Sequence, residues 1–133
     1  MKKGFACGVF DLFHPGHVLM LKECKKHCDH LIVAINKGEN LSAEKNKPVF
    51  DTDERKMIIE SCKFVDEVLV YNSEEELLRL MKKVKPDIRF LGEDYKNKPI
   101  TGSGLNIEIH YVNRDHGYST SGILKKILTR YPK

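Results

Sequence analysis

Five apolar runs of strand length recur along this chain, alternating with amphipathic stretches, and no other feature limits its possible folds so sharply. The runs are residues 4–9, 31–35, 67–71, 88–91 and 107–112. Between and after them, helical periodicity marks 16–28, 52–63, 74–84 and 120–130, the last carrying Ile123, Leu124, Ile127 and Leu128 on one face. Asp51 with Glu54, and Ser73 with Glu76, place a capping oxygen three residues before a carboxylate that can reach back, and Pro86 ends the third helix. Such alternation predicts an α/β fold, a Rossmann-like three-layer α/β/α sandwich on a five-stranded parallel sheet of order 3-2-1-4-5. At 133 residues the chain reads as one domain, 1–133.

Polar stretches 36–50 and 92–106 each follow the carboxyl end of an expected strand. Ligands of open parallel sheets bind at that edge, so both are candidate binding loops. Residues 8–17, Gly-Val-Phe-Asp-Leu-Phe-His-Pro-Gly-His, leave the first strand there and enter the first helix. A glycine-bearing turn at a helix start offers free N–H groups and the positive end of a helix dipole. His14 and His17 add two imidazole donors, Gly16 lets backbone approach a phosphate, and Gly8 does the same at the strand end. Near the other terminus, Arg114, Gly117 and the hydroxyls of Ser119, Thr120 and Ser121 precede the last helix and form a second expected anion site.

The net charge of +4 suits an anionic ligand, but the lysines are scattered, so nucleic acid is not an expected partner. No apolar stretch approaches membrane-spanning length and no leader is recognisable, so no membrane contact and a cytoplasmic location are expected. Cys7, Cys24, Cys28 and Cys62 lack the paired spacing of a zinc site, even with His27 beside two of them. They read as reduced, buried thiols, and no protein-held metal is expected. His27, His30 and His110 read as structural; His116 is a partial exception because it lies inside the second anion motif.

Residues 8–17, Asp-Glu-Arg-Lys-Met-Ile-Ile-Glu (53–60), Phe-Val-Asp-Glu-Val (64–68), Gly-Glu-Asp-Tyr (92–95) and Arg-Asp-His-Gly-Tyr-Ser-Thr-Ser (114–121) together resemble the cytidylyltransferases of the His-x-Gly-His nucleotidyltransferase superfamily. That group contains the bacterial glycerol-3-phosphate cytidylyltransferases. The resemblance implies transfer of CMP from CTP to a small phosphorylated acceptor with release of pyrophosphate, Mg2+ accompanying the triphosphate. An adenylyltransferase using ATP on a sugar phosphate or coenzyme precursor is the alternative, and a nucleotide-binding module without chemistry the third reading. The acceptor phosphate is itself a nucleophile, so positioning and charge stabilisation suffice.

By the resemblance, His14, His17, Arg114 and Lys47 carry catalysis. Gly8, Val9, Phe10, Asp11, Gly16, Ser119 and Thr120 hold the nucleotide, with Gly92, Asp94 and Tyr95 at its base. Lys45, Arg55 and Lys63 face the acceptor, Arg55 as the acceptor-phosphate arginine. Asp11 is expected to orient the histidine turn or a metal-bound water. Val9 and Lys63 stand where the glycerol-phosphate enzymes carry threonine and arginine, which points to a different acceptor. Asp115 replaces a family threonine, removing one phosphate-binding hydroxyl. Residues 64–68 match a segment used in dimer contacts, so a homodimer is expected.

Overall fold

Residues buried on both faces of a sheet need no polar alternation, and the run from Leu31 to Ile35 has none, each residue being at most 2% exposed. In a computed structural model of the protein, which describes residues 1–39 and 47–132, that run is the inner part of β2 (His30–Asn36). It pairs in parallel with β1 (Lys3–Gly8) on one side and β3 (Glu67–Tyr71) on the other, and β4 (Ile88–Gly92) and β5 (Glu108–Val112) extend the sheet beyond β1. The order is β3-β2-β1-β4-β5, the expected Rossmann-like arrangement.

Alternate side chains of the strands divide the core. On one face Ala6, Leu31, Val33, Ile35, Phe90 and Val112 pack with Leu21 and Cys24 of α1 (Pro15–Lys26) and Ile59 of α2 (Thr52–Glu60). On the other, Phe5, Ile32, Ala34 and Tyr71 pack with Leu77 and Met81 of α3 (Glu74–Val84). The sheet thus lies between helices. Phe64, Val65 and Val68, from the segment expected at a dimer contact, pack against the first of these clusters. α4 (Thr120–Arg130) departs from its expected packing: no residue of it is fully buried, and Ile127 and Leu128 are 46% and 72% exposed. No described helix is long and apolar enough to cross a membrane.

The caps explain where the helices start and stop. Asp51 accepts from the Glu54 N–H at 2.8 Å while Glu54 accepts from the Asp51 N–H at 3.0 Å, the full reciprocal box. At α3 the arrangement is shifted: Ser73 Oγ accepts from the Glu76 N–H, but the Glu76 carboxylate accepts from Asn72. Lys85 closes α3 in the left-handed conformation, φ 53°, and the following Pro86 disfavours continuing the helix. All four cysteines are free, and burial pushes the thiols of Cys7, Cys24 and Cys28 upward, keeping them protonated.

Arg55 requires a correction. Expected on an acceptor phosphate, it is 1% exposed and spends its donors on the protein's own backbone. Nη1 donates to the carbonyls of Val9 (3.0 Å) and Asn36 (2.6 Å), Nη2 to Lys37 (2.8 Å) and Nε to Phe50 (3.0 Å). These carbonyls leave the carboxyl ends of β1 and β2 and the approach to α2, where no strand partner remains to satisfy them. A rigid five-donor fork suits that task. Lys63 is also misplaced by the sequence reading: it precedes β3, at the amino edge of the sheet, with Nζ 5.3 Å over the Phe64 ring. Arg55→Met is expected to lower unfolding free energy by about 3 kcal/mol, because it orphans several buried carbonyls. Lys63→Met should change it by less than about 0.5 kcal/mol. Urea denaturation reads both, and equal losses would refute the structural role of Arg55.

Candidate active site

The loop leaving β1 is held under strain. Phe10 and Leu12 both have positive φ, 53° and 50°, a region that side chains with a Cβ seldom enter. The Phe10 ring is buried beside Gly8 and lies 5.4 Å from the His17 ring, with Phe13 stacked on the same imidazole at 5.5 Å. Two aromatic rings therefore set the position of His17.

His14 is the N-cap of α1. Its Nδ1 accepts from the Gly16 N–H at 3.0 Å, while His17 Nδ1 accepts from the His14 N–H at 3.2 Å. Imidazoles here play the parts that Ser and Glu play in an ordinary capping box. A backbone N–H can only donate, so both Nδ1 atoms must present a lone pair. In the neutral ring the proton then sits on Nε2. The rings stack at 3.8 Å, which disfavours charging both. His17 is pushed down to about 4, by burial first and then by His14 and Arg114, with Asp11 opposing. His14 is lowered as well, by burial, His116 and Arg114. At neutral pH the site holds uncharged Nε2–H donors.

The C-terminal segment closes the opposite wall. Ser119 caps α4, its Oγ accepting from the Gly122 N–H at 2.9 Å, and Thr120 Oγ1 donates to the Asp11 carbonyl at 3.2 Å. His116 repeats the pattern of His14, with Nδ1 accepting from the Tyr118 N–H at 2.9 Å across Gly117, whose φ is 77°. A Cβ on Gly16 would stand 2.7 Å from His14 Cε1 and 3.0 Å from His116 Cε1, so only glycine fits between the imidazoles. One cleft is lined by Gly8, Val9, Phe10, His14, Gly16 and His17 from the first turn and by Gly92, Arg114, His116, Ser119 and Thr120 from the strands and segment beyond. His116 was legible only as a member of the second anion motif; its place in the cleft follows from the turn at Gly117.

Other residues expected at the site lie beside it or apart from it. Both oxygens of the Asp11 carboxylate are occupied, accepting from the Val49 and Phe50 N–H groups at 2.7 and 3.0 Å. Asp11 thus anchors the end of the 36–50 loop and has no oxygen turned to the cleft. Asp94 lies 3.7 Å from Arg114 Nη1, each about half exposed, and Tyr95 opens onto a second cleft. Lys47 is exposed on a surface hollow above Arg55, outside the histidine cleft. Lys45 lies outside the described residues.

The depressed His17 couples folding to pH. Below its ordinary value of 6.5 the unfolded chain takes up a proton that the folded chain refuses until about 4, so stability falls across that interval and is flat above it. Melting temperature should therefore decline from about pH 6.5 toward about pH 4, and less steeply in His17→Asn, which retains an acceptor for the His14 N–H. Equal slopes in the two proteins would show that His17 is not the group responsible.

The cytidylyltransferase-like family model matches residues 5–126. The bifunctional protein HldE of Helicobacter pylori is 37% identical over 125 residues, covering 92% of this chain and 27% of that one, so the chain spans about a quarter of that relative's length. The FAD synthase of Ferroglobus placidus is 32% identical over 138 residues, covering 97% of this chain and 90% of the relative. Among solved structures, the lipopolysaccharide core biosynthesis protein of Thermoplasma volcanium GSS1 is 32% identical and superposes with a TM-score of 0.69, over 86% of this chain and 96% of that one. A family match over nearly the whole chain, together with a relative 32% identical over 90% of its own length, leads to one assignment: the chain belongs to the cytidylyltransferase-like family.

Proposed function

We propose that this chain transfers an adenylyl group from MgATP to a phosphorylated small-molecule acceptor, releasing pyrophosphate. The observation that carries the reading is the convergence of His14 and His17 Nε2–H with Arg114 and the start of α4 on one cleft. An oxygen of the acceptor phosphate attacks the α-phosphorus in line. The bond to the bridging oxygen breaks, and pyrophosphate leaves with its electron pair. No proton need be removed from the nucleophile, so a carboxylate base is unnecessary.

In this reading His14 and His17 donate to the α-phosphate and the bridging oxygen, where negative charge grows. A bound polyanion favours protonated imidazole, but a second proton on Nδ1 would break the backbone caps. The rings therefore act as oriented donors rather than as acids. Arg114 and the N–H groups at the start of α4 take the β- and γ-phosphates. Mg2+ enters with the triphosphate and supplies charge neutralisation; among the described residues lining the cleft none is acidic, which fits an ion held by phosphate oxygens and water.

Two readings of the base compete. The resemblance carried by motifs such as Gly-Glu-Asp-Tyr (92–95) implies cytidine, and the family description agrees. ATP is preferred here because the Ferroglobus relative, matched over 90% of its length, is named for a product with an adenylyl half. For the acceptor, a second cleft shares the wall Cys7, Gly8 and Val9 with the first and adds Asn36, Glu74 and Arg89. Arg89 is the one cation among its lining residues, is 3% exposed, and is steadied by Nη1 donating to the Thr101 carbonyl at 2.5 Å. It takes over the part that Arg55 cannot play. The wall common to both clefts supports this reading, in which the acceptor phosphate lies next to the α-phosphorus.

Thermal-shift measurement with magnesium and each of ATP, CTP, GTP and UTP tests the base. ATP should raise the melting temperature most; a response to CTP alone would restore the cytidylyl reading, and no response to any would overturn the proposal. Pyrophosphate release with a panel of phosphorylated acceptors then tests the chemistry. His14→Asn keeps a cap acceptor but removes the Nε2–H, so turnover should fall about 10²–10³-fold while the fold persists. Undiminished turnover would remove His14 from the reaction.

A further inference from the structure

At the far end of α1 from the histidine cap, Glu23, His27 and His110 meet between that helix and the edge strand β5. Glu23 and His27 are four residues apart and share one helix face, and His110 faces them from the middle of β5. One ligand atom from each lies within 4.8 Å of the other two, and no other His, Cys, Asp or Glu trio among the described residues does this. His110 Nε2 and Glu23 Oε2 are 2.7 Å apart, and the His27 and His110 rings are tilted to one another with centroids 4.0 Å apart. Phe90 lies beneath both rings, edge-on to His110 at 5.8 Å and tilted to His27 at 6.4 Å.

We propose that Glu23, His27 and His110 form a binding site for one divalent transition-metal ion of the zinc type. A hydrogen bond between Glu23 and His110 accounts for two of the groups but not for the third. A shared metal uses all three, whose ligand atoms already lie within 4.8 Å of one another. Two imidazole nitrogens and one carboxylate oxygen suit Zn2+, Co2+ or Ni2+, whereas Mg2+ and Ca2+ favour all-oxygen sets. Bonds of about 2.0–2.2 Å need only side-chain rotation that opens the Glu23–His110 hydrogen bond, with water completing the tetrahedron. His27 lies ten residues beyond His17, about 15 Å along the helix, so the ion would not reach the cleft. Its effect is to clip the edge strand to α1.

The probe is zinc alone, added to the tag-free, chelator-treated full chain. One equivalent should bind, and free zinc at about a hundred times Kd should raise the melting temperature by about 5–10 °C. Substituting Co2+ should give d–d absorption without a thiolate charge-transfer band, which separates this site from Cys24 and Cys28. His27→Ala, on an exposed cap, and Glu23→Gln should each abolish the stoichiometric binding, and His116→Ala should leave it intact. No stoichiometric uptake, uptake that survives His27→Ala, or a thiolate band would each overturn the proposal.

Discussion

The reciprocal cap at the start of α1 is the interaction on which the site depends. Because each Nδ1 of His14 and His17 receives a backbone N–H, the fold of one helical turn decides which ring nitrogen carries the proton. The same bonds fix both ring planes, and the Phe10 and Phe13 rings complete the confinement of His17. Helix initiation and donor orientation are one event here. A serine cap would start the helix as well and would leave the cleft without its outward N–H groups.

That turn sits where it does because β1 is the central strand. The chain passes from β1 to β2 on one side and returns later to β4 on the other, which opens a crevice beyond the carboxyl end of β1. The frayed carbonyls at this edge need donors, and Arg55 supplies them across Val9, Asn36, Lys37 and Phe50. Asp11 performs the complementary task, taking the Val49 and Phe50 N–H groups on its carboxylate and the Thr120 hydroxyl on its carbonyl. Together they tie the first turn, residues 36–37 and 49–50 and the start of α4 into one frame. Two clefts share the end of β1 within that frame, one lined by imidazoles and one by Arg89.

Much of this was legible in the residues because it is local. Apolar runs, capping pairs at Asp51 and Ser73, the stop at Pro86 and the Pro-Gly turn all act over a few residues, and strand–helix alternation limits the topology. What escaped depends on distance through space. The sequence cannot show that Arg55 points inward, since an arginine in a first helical turn looks the same whether it meets a phosphate or carbonyls. Lys63 was assigned by register with relatives, and the edge of the sheet on which it falls is a property of the whole fold. The periodicity of α4 was read correctly, but periodicity does not say whether a partner covers the face, and Ile127 and Leu128 stay exposed. His116 and the Glu23, His27 and His110 trio each need a turn or a strand pairing to bring imidazoles together.

The central claim is that backbone donors hold His14 and His17 as neutral Nε2–H tautomers facing a triphosphate. Long-range 1H–15N correlation spectra of the 15N-labelled protein, recorded near neutral pH during a titration with MgATP, test it most directly. The account predicts bare Nδ1 and protonated Nε2 for both residues in the free protein, with the Nε2 resonances moving as nucleotide is added. Protons on Nδ1, or Nε2 signals that ignore saturating nucleotide, would contradict it.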